Sequence, residues 1–593
     1  MSTTLTSSLD TLPVELIHRI FTNLDEQTII LSLRYVCKRL YMIVNVYDCY
    51  KLNFESILKF NFDRICQFIQ PTNVISLTLS DQHITPGQIQ LFFSLFRIEH
   101  FTRLSSLTLI DIEDRYLKQI LKHVKNCTLI SLSIKQKDIY NRSKTTNHLL
   151  STILKQPSLQ KLTINVLEDG TDMLCWPMQC TISHLTLFDC YSNHFSIIFH
   201  HFSCLRTLFI DYCNLIDYDE PIIKISNLIP MRQLISLTME NASLDMDKIE
   251  IILSNTPALV HLRLIGDIDR IDFPWEKFIQ TKLLKLNKFD FFLTKKVDID
   301  YRSINIRRLI TLFQTVFWLE IKHWFVTCEL IRHVPRDFRH LDDEIRLYSI
   351  PPIDRHFEYH PDSNRIIFST LTEMNNDTTM MDHIHSVYLE TKEIMAATTK
   401  KQNSTSITRL FHQVSDLNIR IDSIWTIDCV HLISTLIDLS QIKKLELVDK
   451  FPQDSSQIMT TNVLKILEQA CHVRSLIIII PWLVKTDTKI INQLCSMIPS
   501  HIKHLEIDVG SMNHIKIILQ RLDHLSSVVF RYFNDKPTWQ TTIIEWLSDR
   551  RDLTYCKESY ELYIWLGTEK MNMSQQHRTG RKRIKLTDHY TDS

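Results

Sequence analysis

The chain contains 593 residues, of which 44% are hydrophobic and 23% are charged, and these values are typical of a folded globular protein. Its 67 Lys and Arg residues balance 67 Asp and Glu residues, so the net charge gives no general attraction to nucleic acid or to an anionic membrane. Only six glycines are present, and they are too widely separated to form a phosphate-binding loop or a nucleophile elbow. We therefore expect no nucleotide-binding or α/β-hydrolase enzyme, and neither nucleic acid nor a membrane as a partner.

No targeting segment is recognisable in the sequence. The first twenty residues lack the basic start and the continuous apolar run of a signal peptide. No run of 18 apolar residues is present, so no segment is expected to cross a bilayer. The 14 cysteines are then expected to stay reduced, and the predicted location is the cytoplasm, the nucleus or both.

Residues 1–8 predict a disordered start, and residues 9–50 predict a module of short helices. Pro13 and Glu15 suit the first turn of a helix, and Asp25 is placed to cap a second one. About 40 residues can hardly bury so many large apolar side chains alone, so the module either caps the structure that follows or binds a partner. The apolar residues of the first helix fall on one broad face: Leu12, Leu16, Ile17, Ile20, Phe21 and Leu24.

The order and spacing of these residues closely resemble the F-box motif. The sequence reads Leu12-Pro13-x-Glu15-Leu16-x3-Ile20-Phe21-x2-Leu24, followed by Val36-Cys37-Lys38-x-Leu40. The resemblance implies that the helices dock on a Skp-type adaptor, and through it on the cullin of a ubiquitin ligase. Carried over by position, the adaptor-binding residues would be Leu12, Pro13, Leu16, Ile20, Leu24, Val36 and Leu40.

A motif of the form L-x-x-L-x-L recurs along most of the remaining chain. Its apolar positions alternate with mostly polar ones, which is the period of a half-buried strand, and helical stretches lie between the copies. The spacing resembles the leucine-rich repeats of F-box proteins and predicts an α/β solenoid, with parallel strands on the concave face and helices on the convex face. Sixteen copies, 23 to 33 residues apart within two runs, begin at Val74, Leu104, Leu129, Leu159, Ile182, Leu205, Leu234, Leu259, Leu283, Val316, Ile384, Val414, Ile442, Val473, Ile502 and Leu525.

The gap between the two runs predicts an interruption of the array. Residues 331–383 contain four prolines and a long polar run, so we predict an irregular insertion there, although it could instead hide decayed repeats. The first arc of the array then covers 51–330 and the second arc covers 384–566. Residues 567–593 predict a basic disordered tail with a short match to a nuclear-import signal. Repeats that stack strand beside strand along both arcs predict an elongated, curved body.

No catalytic, metal or cofactor site is predicted. The sequence has no C-x-x-C motif, and no nucleophile, base and orienting group can be assigned by spacing. Cys190 and Cys213 each lie eight residues after the start of their repeat, where the side chain is buried, so both are expected to be structural thiols. The group formed by His200, His201 and Cys204 is expected at a helix end rather than in a metal site.

The concave face of the middle repeats is the predicted target-binding surface. Strand residues at i+2, i+4 and i+6 of each motif point to that face, and in the middle repeats several of them are aromatic or charged. Such residues are typical of protein interfaces, unless the insertion folds over and covers them. The predicted target-binding residues are Phe188, Phe209, Asp211, Glu240, His261, Arg263 and Trp318.

Together these features predict a non-catalytic protein with two binding surfaces. The expected function is the substrate-recognition subunit of an SCF-like cullin ubiquitin ligase, which holds the adaptor with its F-box and a target protein with its solenoid. The alternative is a leucine-rich-repeat scaffold or inhibitor that has no ligase role.

Overall fold

The computed structural model of the protein describes these residues: 12–125, 127–137, 142–165, 176–177, 180–216, 228–297, 306–332, 343–351, 356–359, 364–371, 384–391, 411–421, 426–449, 456–485, 487–532, 540–548, 553–558 and 560–567. The predicted disordered start and the predicted basic tail after Gly567 lie outside these ranges.

The N-terminal module is helical, as the apolar spacing predicts. The carboxylate of Asp25 accepts hydrogen bonds from the N–H and the hydroxyl of Thr28 at 2.7 and 2.8 Å, and so holds the start of the second segment. Ile17 and Phe21 are buried and belong to the same hydrophobic core as the repeats, so the module also covers the first end of the array. Its four segments are helix α1 (Val14–Phe21), a π-helical turn (Thr28–Ser32), a 3-10 turn (Leu33–Tyr35) and helix α2 (Lys38–Val46).

Ten parallel strands follow in the described residues and pair in chain order. In each motif copy the apolar positions face the core and the residue between them faces out, as Leu107, Thr108 and Leu109 do. The strands are β1 (Tyr50–Asn53), β2 (Val74–Ser80), β3 (Ser106–Ile112), β4 (Ser131–Gln136), β5 (Lys161–Asn165), β6 (His184–Tyr191), β7 (Thr207–Asn214), β8 (Ser236–Leu244), β9 (His261–Ile268) and β10 (Lys288–Val297).

The strand register places equivalent positions of successive copies side by side. Leu132 pairs with Leu162 and Leu162 with Leu185, so the motif leucines form continuous buried columns. The copy predicted to begin at Leu283 is displaced by three residues, because Phe289 pairs with Leu262 and is buried. Its motif therefore begins at Leu286, three residues after the predicted start.

Helices connect most of these strands, and their apolar side chains enter the same core as the inward faces of the strands. The predicted fold class, a helical module followed by a sheet of parallel strands with connecting helices, is confirmed. The connecting helices are α3 (Lys59–Phe68), α4 (Gln88–Leu95), α5 (Asp114–Val124), α6 (Lys144–Leu154), α7 (Ser192–His201), α8 (Met246–Ser254), α9 (Trp275–Lys282) and α10 (Ile306–Thr311).

The parallel order ends at β10, which pairs with an antiparallel strand. The copy predicted at Val316 is not a strand, because Phe317–Ile321 forms a π-helical turn. The described part of 331–383 is not irregular either, since it contains strands. The strands that begin or lie there are β11 (Val326–Arg332), β12 (Asp343–Ser349), β13 (His356–Tyr359) and β14 (Asn364–Ser369). Three of these four strands extend the first sheet in the order β10-β12-β11-β14, and β13 begins the second sheet.

The second sheet repeats the same plan, with parallel strands and connecting helices around a second core. Its strand order is β13-β15-β16-β17-β18-β19-β20-β22-β21, and the last two strands are an antiparallel hairpin. The strands are β15 (Ser386–Glu390), β16 (Asp416–Ile421), β17 (Lys444–Asp449), β18 (Ser475–Ile479), β19 (His504–Asp508), β20 (Ser527–Arg531), β21 (Leu553–Lys557) and β22 (Glu561–Leu566). The helices are α11 (Ile427–Leu436), α12 (Ser456–Gln469), α13 (Thr488–Met497), α14 (Met512–Arg521) and α15 (Gln540–Ser548).

The two ends of the array meet, so the expectation of an elongated body is wrong. Trp565 of the terminal hairpin is fully buried in the core of the first sheet, with its ring 5.3 Å from that of Phe62 on α3. The Thr554 hydroxyl donates to the Pro86 carbonyl at 2.8 Å. An ion pair joins Lys137, at the end of β4, to Glu558 in the turn of the hairpin. The hairpin thus ends the second sheet and covers the first repeats at the same time.

Replacing Trp565 with Ala should open this closure. Removal of a fully buried indole is expected to cost about 3–5 kcal/mol of stability and to increase the radius of gyration measured by small-angle scattering. Leu284→Ala is the control, because Leu284 is largely exposed and its truncation should change neither quantity. An unchanged melting temperature and radius in Trp565→Ala would contradict the closure.

Stability should also depend on pH through Asp508, which is fully buried at the end of β19. Burial raises the pKa of this carboxyl to about 6, although its Oδ2 accepts a hydrogen bond from the Ile480 N–H at 2.6 Å. The folded chain therefore holds a proton that the unfolded chain loses near pH 4, so stability falls as the pH rises from about 4 to about 6. In denaturant titrations Asp508→Asn should remove up to about 3 kcal/mol of this fall, whereas Asp523→Asn, at an exposed site, should remove none.

Candidate partner-binding surfaces

Helix α1 and the turn after it carry two apolar stripes, one buried and one exposed. Ile17 and Phe21, four residues apart, point into the core. Leu16, Ile20 and Leu24, also four residues apart, point outward, and Leu16 is 46% exposed. A separation of four residues is about one helical turn, so the members of each stripe lie above one another on the same side. Among the residues that the structure describes, none buries the outward stripe, so the module presents an apolar surface to solvent.

The module has further exposed apolar residues before α2 and along it. Val36 lies just before the helix and is exposed, and Tyr41, Met42 and Val46 are exposed on the helix itself. The last three were not among the predicted adaptor-binding residues. The sequence gives an indication of this exposure, because Met42 and Val46 are one helical turn apart and lie on a different face of α2 from its buried residues.

The predicted adaptor-binding residues do not all lie on this surface. Pro13, Leu16, Ile20, Leu24 and Val36 are exposed, as predicted for a docking face. Leu12 is half-buried against the core.

Leu40 is a correction to that set, because it is only 3% exposed. It packs inward with Ile43 and Val44, which follow it by three and four residues on the buried face of α2. Leu40 holds the module together and is not available to an adaptor.

Six of the seven predicted target-binding residues lie together on the outward face of neighbouring strands. Phe188 pairs with Asp211 and Asp211 with Glu240, while Phe209 lies in an adjacent column two strands from Arg263. Five are partly buried by their neighbours, and one is exposed. This middle wall is defined by Phe188, Phe209, Asp211, Glu240, His261 and Arg263.

The middle wall is already ordered by contacts within the chain. Arg263 lies 2.9 Å from the carboxylate of Glu240, and Asn241 donates a hydrogen bond to Asp211 at 2.7 Å. The ammonium group of Lys135 lies 5.5 Å from the centre of the Phe188 ring. Each of these contacts is partly open to solvent, so each contributes little to stability, but together they restrict the charged side chains of the wall.

Trp318, the seventh predicted residue, does not belong to the wall. It lies in the π-helical turn and is fully buried, with its ring 4.8 Å from Phe313 and 5.7 Å from Trp324. The apolar spacing of Val316, Leu319 and Ile321 fits both a strand and a helical turn, and tertiary packing decided for the turn. Trp318 is therefore part of the core.

Cysteine and histidine residues form no recognisable metal site in the ranges that the structure covers. Cys190 on β6 lies beside Cys213 on β7 in the strand register, and both are buried, as expected for structural thiols. Burial raises the pKa of the Cys213 thiol well above its ordinary value. At the end of α7, the Nδ1 atom of His201 lies 3.2 Å from the Pro177 carbonyl oxygen.

None of the described helices is long and apolar enough to cross a membrane.

Comparison with known proteins gives a match for the N-terminal module. Residues 9–49 match the family model described as F-box-like, and F-box domains generally bind Skp-type adaptors. No curated protein matches the sequence. Among solved structures, the chain is similar to the crystal structure of the leucine-rich repeat-containing protein LegL7 from Legionella pneumophila, with 14% identity and a TM-score of 0.21 over 54% of this chain and 80% of that one. The exposed apolar stripe thus lies on an F-box-like domain.

The different positions of Trp318 and Phe209 lead to a testable difference in stability. Trp318→Ala should lower the free energy of unfolding by about 3–5 kcal/mol, because it leaves a large cavity in the core. Phe209→Ala should cost about 1 kcal/mol or less, since its ring is only half-buried on the outer face of β7. Denaturant unfolding of both variants measures the difference, and equal losses would contradict the assignment.

Proposed function

We propose that the protein is the substrate-recognition subunit of an SCF-like cullin ubiquitin ligase. In this proposal the F-box-like module binds a Skp-type adaptor, and through it a cullin, while the repeat array binds a target protein. The observation that carries the proposal is the outward stripe of Leu16, Ile20, Leu24 and Val36 on a module that matches the F-box-like family.

The physical support for adaptor binding is the cost of leaving that stripe in water. Full burial of one large aliphatic side chain contributes about 1.5–3 kcal/mol, so even partial burial of four of them supports a stable complex. The inward stripe of α1 supports the same proposal, because Ile17 and Phe21 anchor the helix on the array and hold the outward stripe in place.

The middle wall is the proposed site for the target. It combines two half-buried phenylalanines with charged side chains held by contacts within the chain, a composition typical of interface anchors. No catalytic residue is needed in this chain, since a ligase subunit acts by bringing a target lysine close to the charged ubiquitin-conjugating enzyme. We propose accordingly that the chain is not an enzyme and that it acts in the cytoplasm, the nucleus or both.

Replacing Leu16 and Ile20 together with Asp should abolish co-purification of a Skp-type adaptor, because the interface would have to bury two unpaired carboxylates. Ile130→Asp is a matched control, since Ile130 has the same 46% exposure as Leu16 but lies on the array. The control should bind the adaptor normally, and both proteins should keep the wild-type melting temperature. Undiminished adaptor binding by the double variant would refute the proposal. Adaptor binding without recovery of a cullin would favour the scaffold or inhibitor alternative.

The same double variant can test the middle wall. It should retain target proteins without presenting them for ubiquitination, and it leaves the core residues Ile17 and Phe21 in place, which removal of the module would not. Adding Phe209→Ala should then reduce recovery of the retained proteins by about tenfold or more in quantitative mass spectrometry. Unchanged recovery of every associated protein would exclude the wall as the target site.

A further inference from the structure

A second group of side chains lies where the F-box-like module meets α3, the first helix of the array, and it combines exposed aromatic residues with half-buried arginines. We define this junction cluster as Arg34, Tyr35, Tyr41, Arg64 and Phe68. Three of its members come from the module, and the other two come from α3, which lies beyond the residues that match the F-box-like family.

The arginines of the junction cluster are held by aromatic rings. The guanidinium of Arg34 lies between two rings, 4.0 Å from the centre of Phe68 and 5.0 Å from that of Tyr41. The guanidinium of Arg64 lies 5.4 Å from the centre of Tyr35 and donates a hydrogen bond to its hydroxyl at 3.0 Å. These contacts restrict both side chains before any partner binds, which lowers the entropy cost of binding.

The cluster is open to solvent and has uncompensated positive charge. Tyr35 is 56% exposed, and Tyr41 and Phe68 are also exposed. Among the residues that the structure describes, no carboxylate forms an ion pair with Arg34 or Arg64, and the nearby Asp63 is paired with Lys59 at 3.0 Å. Arginine and tyrosine are the residues most enriched at interface hot spots, and a fixed guanidinium can bind a carboxylate through two hydrogen bonds.

The junction cluster adjoins Val36 of the outward stripe. Tyr35 directly precedes Val36, the exposed residue of the stripe before α2, and Tyr41 lies on α2 beside Met42. A protein that covers the stripe can therefore reach the cluster without leaving the surface of the module.

We infer that the junction cluster binds an acidic segment of the same Skp-type adaptor, an inference that rests on the proposed function. The segment would place Asp or Glu carboxylates against Arg34 and Arg64 and an apolar side chain against Tyr35. The contact extends the adaptor interface beyond the F-box-like region onto the array, so it also fixes the orientation of the adaptor relative to the target-binding repeats.

The test measures the affinity of the full chain for a purified Skp-type adaptor at two salt concentrations. Changing Arg34 and Arg64 together to Glu should weaken binding by about tenfold or more and reduce its dependence on salt. Changing both to Lys should give an intermediate loss, because lysine keeps the charge but not the planar, bidentate group. The matched control is Lys51→Glu, which reverses an exposed charge on β1 and should leave the affinity unchanged.

The alternative is that the cluster only holds the module against α3. In that case Arg34→Glu with Arg64→Glu lowers the melting temperature, but binding measured well below that temperature is unchanged, and the inference is refuted. Equal affinity losses in the Glu pair and in Lys51→Glu would also refute it, since the effect would then reflect net charge alone. If the wild-type chain does not bind the adaptor at all, the proposed function fails first and the inference fails with it.

Discussion

The packing of Trp565 against Phe62 determines the form of the whole molecule. A stack of parallel strands leaves a hydrophobic core open at both ends, and each end must be covered. The helical module covers the first end with Ile17 and Phe21. The terminal hairpin completes the last sheet, and its Trp565 also enters the core of the first, so a residue near the end of the chain stabilises the beginning.

This closure gives α3 a central position. Phe62 on one side of the helix contacts the terminal hairpin, while Arg64 and Phe68 contact the F-box-like module. The module, the first repeats and the last repeats therefore meet at one helix of ten residues. A packed connection of this kind would suit the proposed function, in which two partners are held at a fixed separation, because every loose joint would lower the effective concentration of one partner at the other.

Different interactions would contribute to binding at the two proposed surfaces. The outward stripe consists of aliphatic side chains, and its affinity for an adaptor would come from burial of apolar area. The middle wall combines two phenylalanines with charged groups that are already paired with each other, as Glu240 is with Arg263. Pairs of this kind contribute little energy at an exposed site, so the charges would chiefly select the partner while the phenylalanines provide affinity.

The sequence by itself determined the repeating local structure. The alternation within each L-x-x-L-x-L motif predicted the strands, and the spacing of Leu16 and Ile20 predicted a helix, because both patterns depend only on which neighbours share a face. The F-box-like character of that helix came from the resemblance of the motif to a known family. Tertiary structure alone decided which of several apolar residues face the core. It buried Trp318, since helix and strand periods overlap over short segments, and it buried Leu40, which the resemblance to the F-box motif had placed on the adaptor face. It also brought Trp565 to Phe62, a contact between residues some 500 positions apart that no local pattern encodes.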